Sequence, residues 1–308
     1  MADSLVSNIL KLKKERQAVI LAHNYQLPEV QDIADYVGDS LGLSIQAGKV
    51  EAKVIIFCGV NFMAETAAII SPDKKVVLPE LRAGCPMADM ITAEKLRNLK
   101  KQNPKAPVVC YVNSTAEVKA ESDVCCTSAN AGKVVHSLLD NEIIFVPDKY
   151  LGAFAQKQNP DKKLILYEGY CPTHAKILLE HIQGARVQWP GASVIVHPEC
   201  RPEVIEAADA ALSTEGLMKY VKESKNKEFI VGTETGMIYR LQKENPDKKF
   251  YPVTELAVCP NMKMINLEKI LWALEEMKNV VTVPENIRVK ASASINRMLE
   301  IGRPASGG

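Results

Sequence analysis

The chain has 308 residues, 47% hydrophobic and 24% charged, the proportions of an ordinary globular protein rather than a disordered or fibrous one. Its formal net charge of +1 gives no electrostatic basis for binding nucleic acid or an anionic membrane surface. No run approaches the roughly 20 apolar residues that cross a bilayer.

The first predicted element, a helix over residues 1–16, sets Leu5, Ile9 and Leu12 on one face among lysines and glutamates. It lacks the continuous apolar centre of a signal peptide, so a cytoplasmic location is expected. Eight cysteines in such a compartment point to thiols or metal ligands rather than to a disulfide framework. Residues 18–22 then read as a buried parallel strand, with counterparts at 108–112 and 193–196. Each is followed by a short helix, a short strand and a hydroxyl-bearing turn at Ser40, Ser128 or Thr214. A second helix (about 41–52, 129–141 and 215–224) leads to a third strand (54–57, 143–146 and 229–231). A further helix and a last strand (76–78, 164–166 and 250–253) bring each segment to a cysteine. Alternation of this kind predicts a parallel, doubly wound αβα sandwich. Residues 285–301 read as one more helix outside the repeat, expected to pair with the N-terminal helix, and 302–308 as a frayed tail.

The triplication is also written in single residues. Cys85, Cys171 and Cys259, each followed by proline, are separated by 86 and 88 residues, and Pro-Asp-Lys-Lys recurs at 72–75, 160–163 and 246–249. Glu29, Glu117 and Glu203 are each followed six residues later by Asp35, Asp123 or Asp209. Such a period is too long for a solenoid unit and fits three copies of a small domain. The expected units are 1–101, 102–187 and 188–283, with 284–308 packing back on the first. Domains this small bury too little surface to stand alone, so tight mutual packing is expected.

Ligands of parallel αβ sheets bind beyond the carboxyl ends of the strands. The aligned residues after the first strand of each unit are His23 and Tyr25, Tyr111 and Asn113, and His197 and Glu199. Any one polar group there is explained by closing a backbone end, but titratable groups at three equivalent registers argue for a shared pocket. Ser40, Ser128 and Thr214 suit helix N-caps, and the same helix ends are anion sites. Lys149 and Glu234, after the third strands, are candidates for the pocket rim.

Proline after each repeat cysteine suits a first helical turn, where N–H groups and the helix dipole favour a thiolate. Pseudo-threefold assembly would bring Cys85, Cys171 and Cys259 together. Three thiolates cannot close a four-ligand site, so zinc or a [4Fe-4S] cluster there keeps one metal position open. Cys58, Cys110, Cys125, Cys126 and Cys200 do not recur at a common register and read as small buried hydrophobes. His174, three residues after Cys171, reads as a partner to the metal site or as a solvated residue of the first turn.

At these residues the chain resembles the quinolinate synthases, the A-type enzymes that make the pyridine ring of NAD. The resemblance runs through 22–30, 38–40, 111–117, 127–130, 197–200 and the three cysteines, and so covers essentially the whole chain. It implies three αβα domains around one [4Fe-4S] cluster per chain, with Cys85, Cys171 and Cys259 as ligands and one open iron. It further implies substrate-binding residues His23, Ser40, Tyr111, Val112, Asn113, Ser128, His197, Pro198, Glu199 and Thr214. Glu199, Tyr25, His197 and Tyr111 would be catalytic. Where some relatives carry Cys-x-x-Cys-x-x-Cys near the C-terminus, Cys259 here is followed by Pro-Asn-Met, which argues against regulation by a neighbouring disulfide. The implied reaction condenses iminoaspartate with dihydroxyacetone phosphate and loses phosphate and two waters, functionally coupled to an L-aspartate oxidase or dehydrogenase. Glu199 is then expected to be the base, its pKa raised by burial and anionic neighbours. The rival readings are an iron-sulfur redox or sensor protein without turnover and a metal-free sugar-phosphate aldolase or isomerase.

Overall fold

The computed structural model describes residues 2–302. After helix α1 (Ala2–Glu15), the first unit runs β1 (Ala18–His23), α2 (Pro28–Ile33), β2 (Tyr36–Gly38), α3 (Ser40–Lys49), β3 (Val54–Cys58), α4 (Asn61–Ile70), β4 (Lys75–Val77) and α5 (Ala93–Gln102). The second repeats it as β5 (Val108–Tyr111), α6 (Ala116–Ala120), β6 (Val124–Cys126), α7 (Ala131–Ser137), β7 (Glu142–Val146), α8 (Lys149–Gln158), β8 (Lys163–Leu166) and α9 (Leu179–Gln188). The third is β9 (Ser193–Val196), α10 (Pro202–Glu206), β10 (Ala210–Ala211), α11 (Thr214–Glu223), β11 (Glu228–Gly232), α12 (Met237–Glu244), β12 (Lys249–Pro252) and α13 (Leu267–Glu276). Helix α14 (Glu285–Gly302) closes the described chain.

Each unit holds one four-stranded parallel sheet in the order β2-β1-β3-β4 or its equivalent. Its first and third strands are almost wholly buried, as expected where helices cover both faces. That strand order places a crevice beyond the carboxyl ends of the first and third strands, where the chain switches direction.

The repeated residues outside the cysteines serve this scaffold. Asp35, Asp123 and Asp209 each accept a backbone N–H of the first strand, from Ile20, Val108 and Val194 at 2.8, 2.7 and 2.7 Å. The first lysine of each Pro-Asp-Lys-Lys, at 74, 162 and 248, donates to two carbonyls at the end of the preceding middle helix. A cation there satisfies carbonyls that the helix itself leaves unpaired. Helix α7 is shorter than the predicted 129–141 at both ends. Asn130 Oδ1 turns back to accept the Thr127 N–H at 2.7 Å, which delays the start, and Lys162 takes the Leu138 and Asp140 carbonyls after the helix has ended.

One core runs without a break from the first unit into the third, from Ile20 and Phe57 to Phe229 and Ile270. A second belongs to the middle unit and takes in Ala291, Ile295 and Met298 of α14. Helix α14 therefore differs from expectation: it lies chiefly on α6 and β6, with smaller contacts to α7 and α4, while α1 packs on α13. The segment before α14 does return to the first unit, where Val280 forms an antiparallel bridge with Val77 beside β4. The helix then follows its apolar face onto the middle unit. The tail expected to fray beyond Gly302 lies outside the described residues.

Because Ile295 is fully buried in the middle core, Ile295→Ala should lower unfolding stability by about 2–5 kcal/mol in urea titrations. A loss below ~0.5 kcal/mol, the size of an ordinary surface change, would mean that α14 does not pack there.

Candidate active site

The strand ends of the three sheets meet at a cavity of about 200 Å³. His23 ends β1 and Tyr111 ends β5, while His197 follows β9 directly, so equivalent points of three sheets supply one wall each. Every residue predicted to bind substrate, act in catalysis or hold metal lines the cavity except Val112 and Pro198. Val112 turns its side chain into the middle core and uses its N–H on the Cys126 carbonyl at 2.9 Å. Pro198 is buried in the same turn as His197 and has no N–H to offer.

A carboxylate holds the centre together. Glu199, 3% exposed, accepts from the Tyr111 hydroxyl at 2.6 Å and from Asn113 Nδ2 at 3.3 Å on Oε1. Its Oε2 lies 2.7 Å from His174 Nδ1. His174 Nε2 is 2.9 Å from the Thr233 hydroxyl, which is 2.7 Å from the Tyr25 hydroxyl. The line Tyr25, Thr233, His174, Glu199, Tyr111 thus joins groups from all three units. His174 is 1% exposed and within 3.2 Å of Cys171 Sγ, so the solvated reading of that residue fails.

Burial pushes the Glu199 carboxyl up, but the imidazoles of His174 and His197 and the hydrogen bonds from His174 and Tyr111 outweigh it and hold the group below the usual carboxylate range. That reverses the expected upward shift. The reason is that its nearest partners are donors supplied by the middle unit. Burial, then the charge of Glu199, raises both Tyr25 and Tyr111 well above the ordinary phenol range, so both hydroxyls stay protonated, and that of Tyr111 donates to Glu199.

His23 and His197 are built alike. In each, Nδ1 accepts the backbone N–H two residues on, from Tyr25 at 3.2 Å and Glu199 at 3.3 Å. Burial is the main influence lowering both to about 3, so both are neutral and carry their proton on Nε2. Asn113 Oδ1 is buried without a protein partner, an acceptor left for a ligand.

The hydroxyls at the helix starts are not caps. Asp39 caps α3 by accepting from Gly42 N at 2.7 Å, and Ser213 caps α11 by accepting from Gly216 N at 3.2 Å. Ser40 and Thr214 are the next residues, on the cavity wall, and Thr214 Oγ1 accepts from Asn24 Nδ2 at 2.8 Å. Ser128 precedes its helix by a turn closed by Asn130. Lys176 is an exposed residue that also lines the cavity.

The three repeat cysteines are half-exposed toward the cavity, whereas the other five are buried. Each lies before a short 3-10 turn (Ala88–Met90, His174–Lys176 and Met262–Met264), and the α-helix begins only afterwards. Backbone N–H groups of those turns point at the sulfurs, as expected of a helix start. Burial nevertheless dominates, and the thiols are raised, Cys85 to about 12. Among the described residues, the set whose donor atoms all lie within 4.8 Å of one another is Cys171, His174 and Glu199; the three cysteines are spread too widely to share a single ion.

Two working residues escaped the sequence analysis. Thr233 links Tyr25 to His174, and Lys263 donates to the Tyr25 carbonyl. Equivalence by register was the available signal for Thr233, since it follows β11 as Gly59 follows β3, but the equivalent residues share no chemistry. Lys149, a rim candidate, pairs instead with Glu168 at 3.0 Å, away from the cavity, while Glu234 lines it and is fully buried.

A family model described as Quinolinate synthetase A protein matches residues 7–300. The quinolinate synthase of Dehalococcoides mccartyi strain CBDB1 is 61% identical over 302 residues, which cover 98% of this chain and 100% of the relative. Those of Thermodesulfovibrio yellowstonii and Methanosarcina barkeri are each 56% identical, covering 98% and 96% of this chain and 99% and 97% of their own.

Since Asp39 and not Ser40 is the cap, Asp39→Ala should cost about 0.5–2 kcal/mol of stability and Ser40→Ala close to none. Thermal melts of the two variants check this. Equal losses would return the capping role to Ser40.

Proposed function

From the premise that this chain belongs to the Quinolinate synthetase A family, we propose that it makes quinolinate by condensing iminoaspartate with dihydroxyacetone phosphate at this cavity, releasing phosphate and two waters. The observation that carries the reading is the convergence of Tyr25, Tyr111, His197 and Glu199 with the three repeat cysteines on one enclosed space. Neither a redox sensor nor a metal-free aldolase draws support from the relatives, which are named quinolinate synthases.

The residues suit a [4Fe-4S] cluster on Cys85, Cys171 and Cys259. Their sulfurs are too far apart for one ion, they face a common space, and backbone N–H groups stand ready to support sulfur once metal has displaced the proton. Bound there, such a cluster supplies one iron with an open position, a Lewis acid that assists the departure of hydroxide.

The remaining work falls to the chain itself. His23 and His197, neutral with the proton on Nε2, donate to substrate carboxylates without adding charge. Ser40 and Thr214 sit on the first turns of α3 and α11, where helix N–H groups and dipole favour an anion, and Lys176 adds a positive charge suited to phosphate. Glu199 takes protons from carbon. At rest it is ionised but weakly basic because Tyr111, Asn113 and His174 all bond it. A substrate that draws Tyr111 or Asn113 onto its own oxygens strips donors from Glu199 and strengthens it as a base. Tyr25, kept protonated by burial and fixed by Thr233, serves as the acid. The imine must be supplied by an oxidase or dehydrogenase acting on L-aspartate, and a cytoplasmic location suits that supply. No helix among the described residues is long and apolar enough to cross a membrane.

Replacing Cys85, Cys171 or Cys259 by Ser should abolish iron binding, whereas Cys58→Ser and Cys200→Ser should leave it intact, as measured by iron and sulfide analysis after anaerobic reconstitution. Full loading of Cys171→Ser would sink the ligand assignment. Glu199→Gln should keep the cluster and the Michaelis constants but lower kcat by about 100-fold or more, the usual contribution of a general base. Normal turnover in that variant would move the base to His197 or a tyrosine.

A further inference from the structure

The second residue after the third strand of each sheet is Val60, Asp148 or Glu234. The reaction as described uses none of them. Yet Asp148 and Glu234 are both fully buried, and a carboxylate so placed is tolerated only where its partners offset the lost water.

Glu234 has such partners. Its Oε1 accepts the backbone N–H of Cys259 at 3.1 Å, and its Oε2 accepts the Gly236 N–H at 2.8 Å. Lys263 Nζ lies 3.0 Å from Oε1 and also donates to the backbone carbonyl of Tyr25 in the first unit. The arrangement leaves no room at residue 236: a Cβ there would stand 2.6 Å from Lys263 Nζ, 2.8 Å from Glu234 Oε2 and 3.0 Å from the Tyr25 carbonyl.

Asp148 stands in the same relation to Cys171. Its Oδ1 accepts the N–H groups of Tyr150 and Leu151 at 2.8 and 3.0 Å, and the Cys171 N–H approaches the same carboxyl without reaching full hydrogen-bond geometry. In the first unit the position is Val60, which offers no carboxylate; the backbone bond from the next residue, Asn61 N–H on the Ala83 carbonyl at 2.8 Å, recurs in the other units as Lys149 on Gly169 at 2.9 Å and Thr235 on Ala257 at 3.0 Å, so the carboxylates are additions to a shared turn.

We propose that Glu234, with Asp148 as its weaker counterpart, is a positioning residue for the cluster cysteines: it fixes the Cys259 backbone and, through Lys263, ties that ligand to Tyr25. The inference rests on the cluster reading above. Placing metal ligand and catalytic tyrosine in one hydrogen-bonded frame means that loading the metal and positioning the acid depend on the same carboxylate. Removing its charge also leaves the Lys263 ammonium unpaired near the cluster, which shifts the reduction potential to more positive values.

The test uses the anaerobically reconstituted full chain as wild type, Glu234→Gln and Asp148→Asn, both close to the native shape. Iron release to a ferrous chelator and the midpoint potential from an EPR-monitored titration are read beside the melting of each cluster-free chain. Glu234→Gln should release iron about 10–100-fold faster and show a more positive potential, with a melt like that of the wild type, and Asp148→Asn should release iron faster by a smaller factor. Wild-type release and potential in Glu234→Gln would overturn the proposal. Should that variant fail to fold, unchanged release in Asp148→Asn would overturn it equally, and faster release would support it. A wild-type chain that binds no iron would overturn the cluster reading, and the positioning role with it.

Discussion

Everything at the centre of this molecule depends on burying one carboxylate, Glu199, where three sheets end. A buried carboxylate is costly unless donors surround it, and the third unit alone cannot supply them. Tyr111 and Asn113 come from the middle unit's strand end, and His174 from the turn after its cysteine. Thr233, on the third unit, then reaches across to Tyr25 of the first. The site exists only when the units are docked, and the polar line across it is part of what specifies the docking.

Much of the fold was readable because its signals are local and recur three times. Buried strands, the Asp35 and Lys74 types of contact and the cysteine turns each rest on residues close together in sequence or in one repeat, so period and spacing carry them. The strand-end residues of the site were readable for the same reason. Partners from different units were not. Thr233 and Lys263 lie close to the candidates Glu234 and Cys259 but share no chemistry with the equivalent residues of the other repeats, and nothing local to α14 says that its apolar face belongs on α6 rather than α1. The acidity of Glu199 went the wrong way because burial can be inferred from position, while the donors that outweigh it arrive from elsewhere in the chain. At Ser40 and Thr214 the error was one residue: the neighbouring Asp39 and Ser213 were equally good caps, and geometry chose them.

On the cluster reading proposed above, the three repeat cysteines form a scaffold that a metal would complete. Turn N–H groups favour the thiolate at each sulfur, but burial wins, and the free thiols hold their protons. A metal bound there would have to displace those protons, and the free energy of its binding would stabilise the docked arrangement of the three units. Cluster loading and assembly of the polar line would in this sense be one process.

The central claim is that one cavity, completed by one cluster, makes quinolinate. Anaerobic titration of the metal-free chain with iron and sulfide, assayed at each step for quinolinate from iminoaspartate and dihydroxyacetone phosphate, tests it most directly. Activity should rise in proportion to bound iron and level off near about four irons per chain, the content of one [4Fe-4S] cluster. Quinolinate formed by the iron-free chain, or none formed by the fully loaded one, would contradict the account.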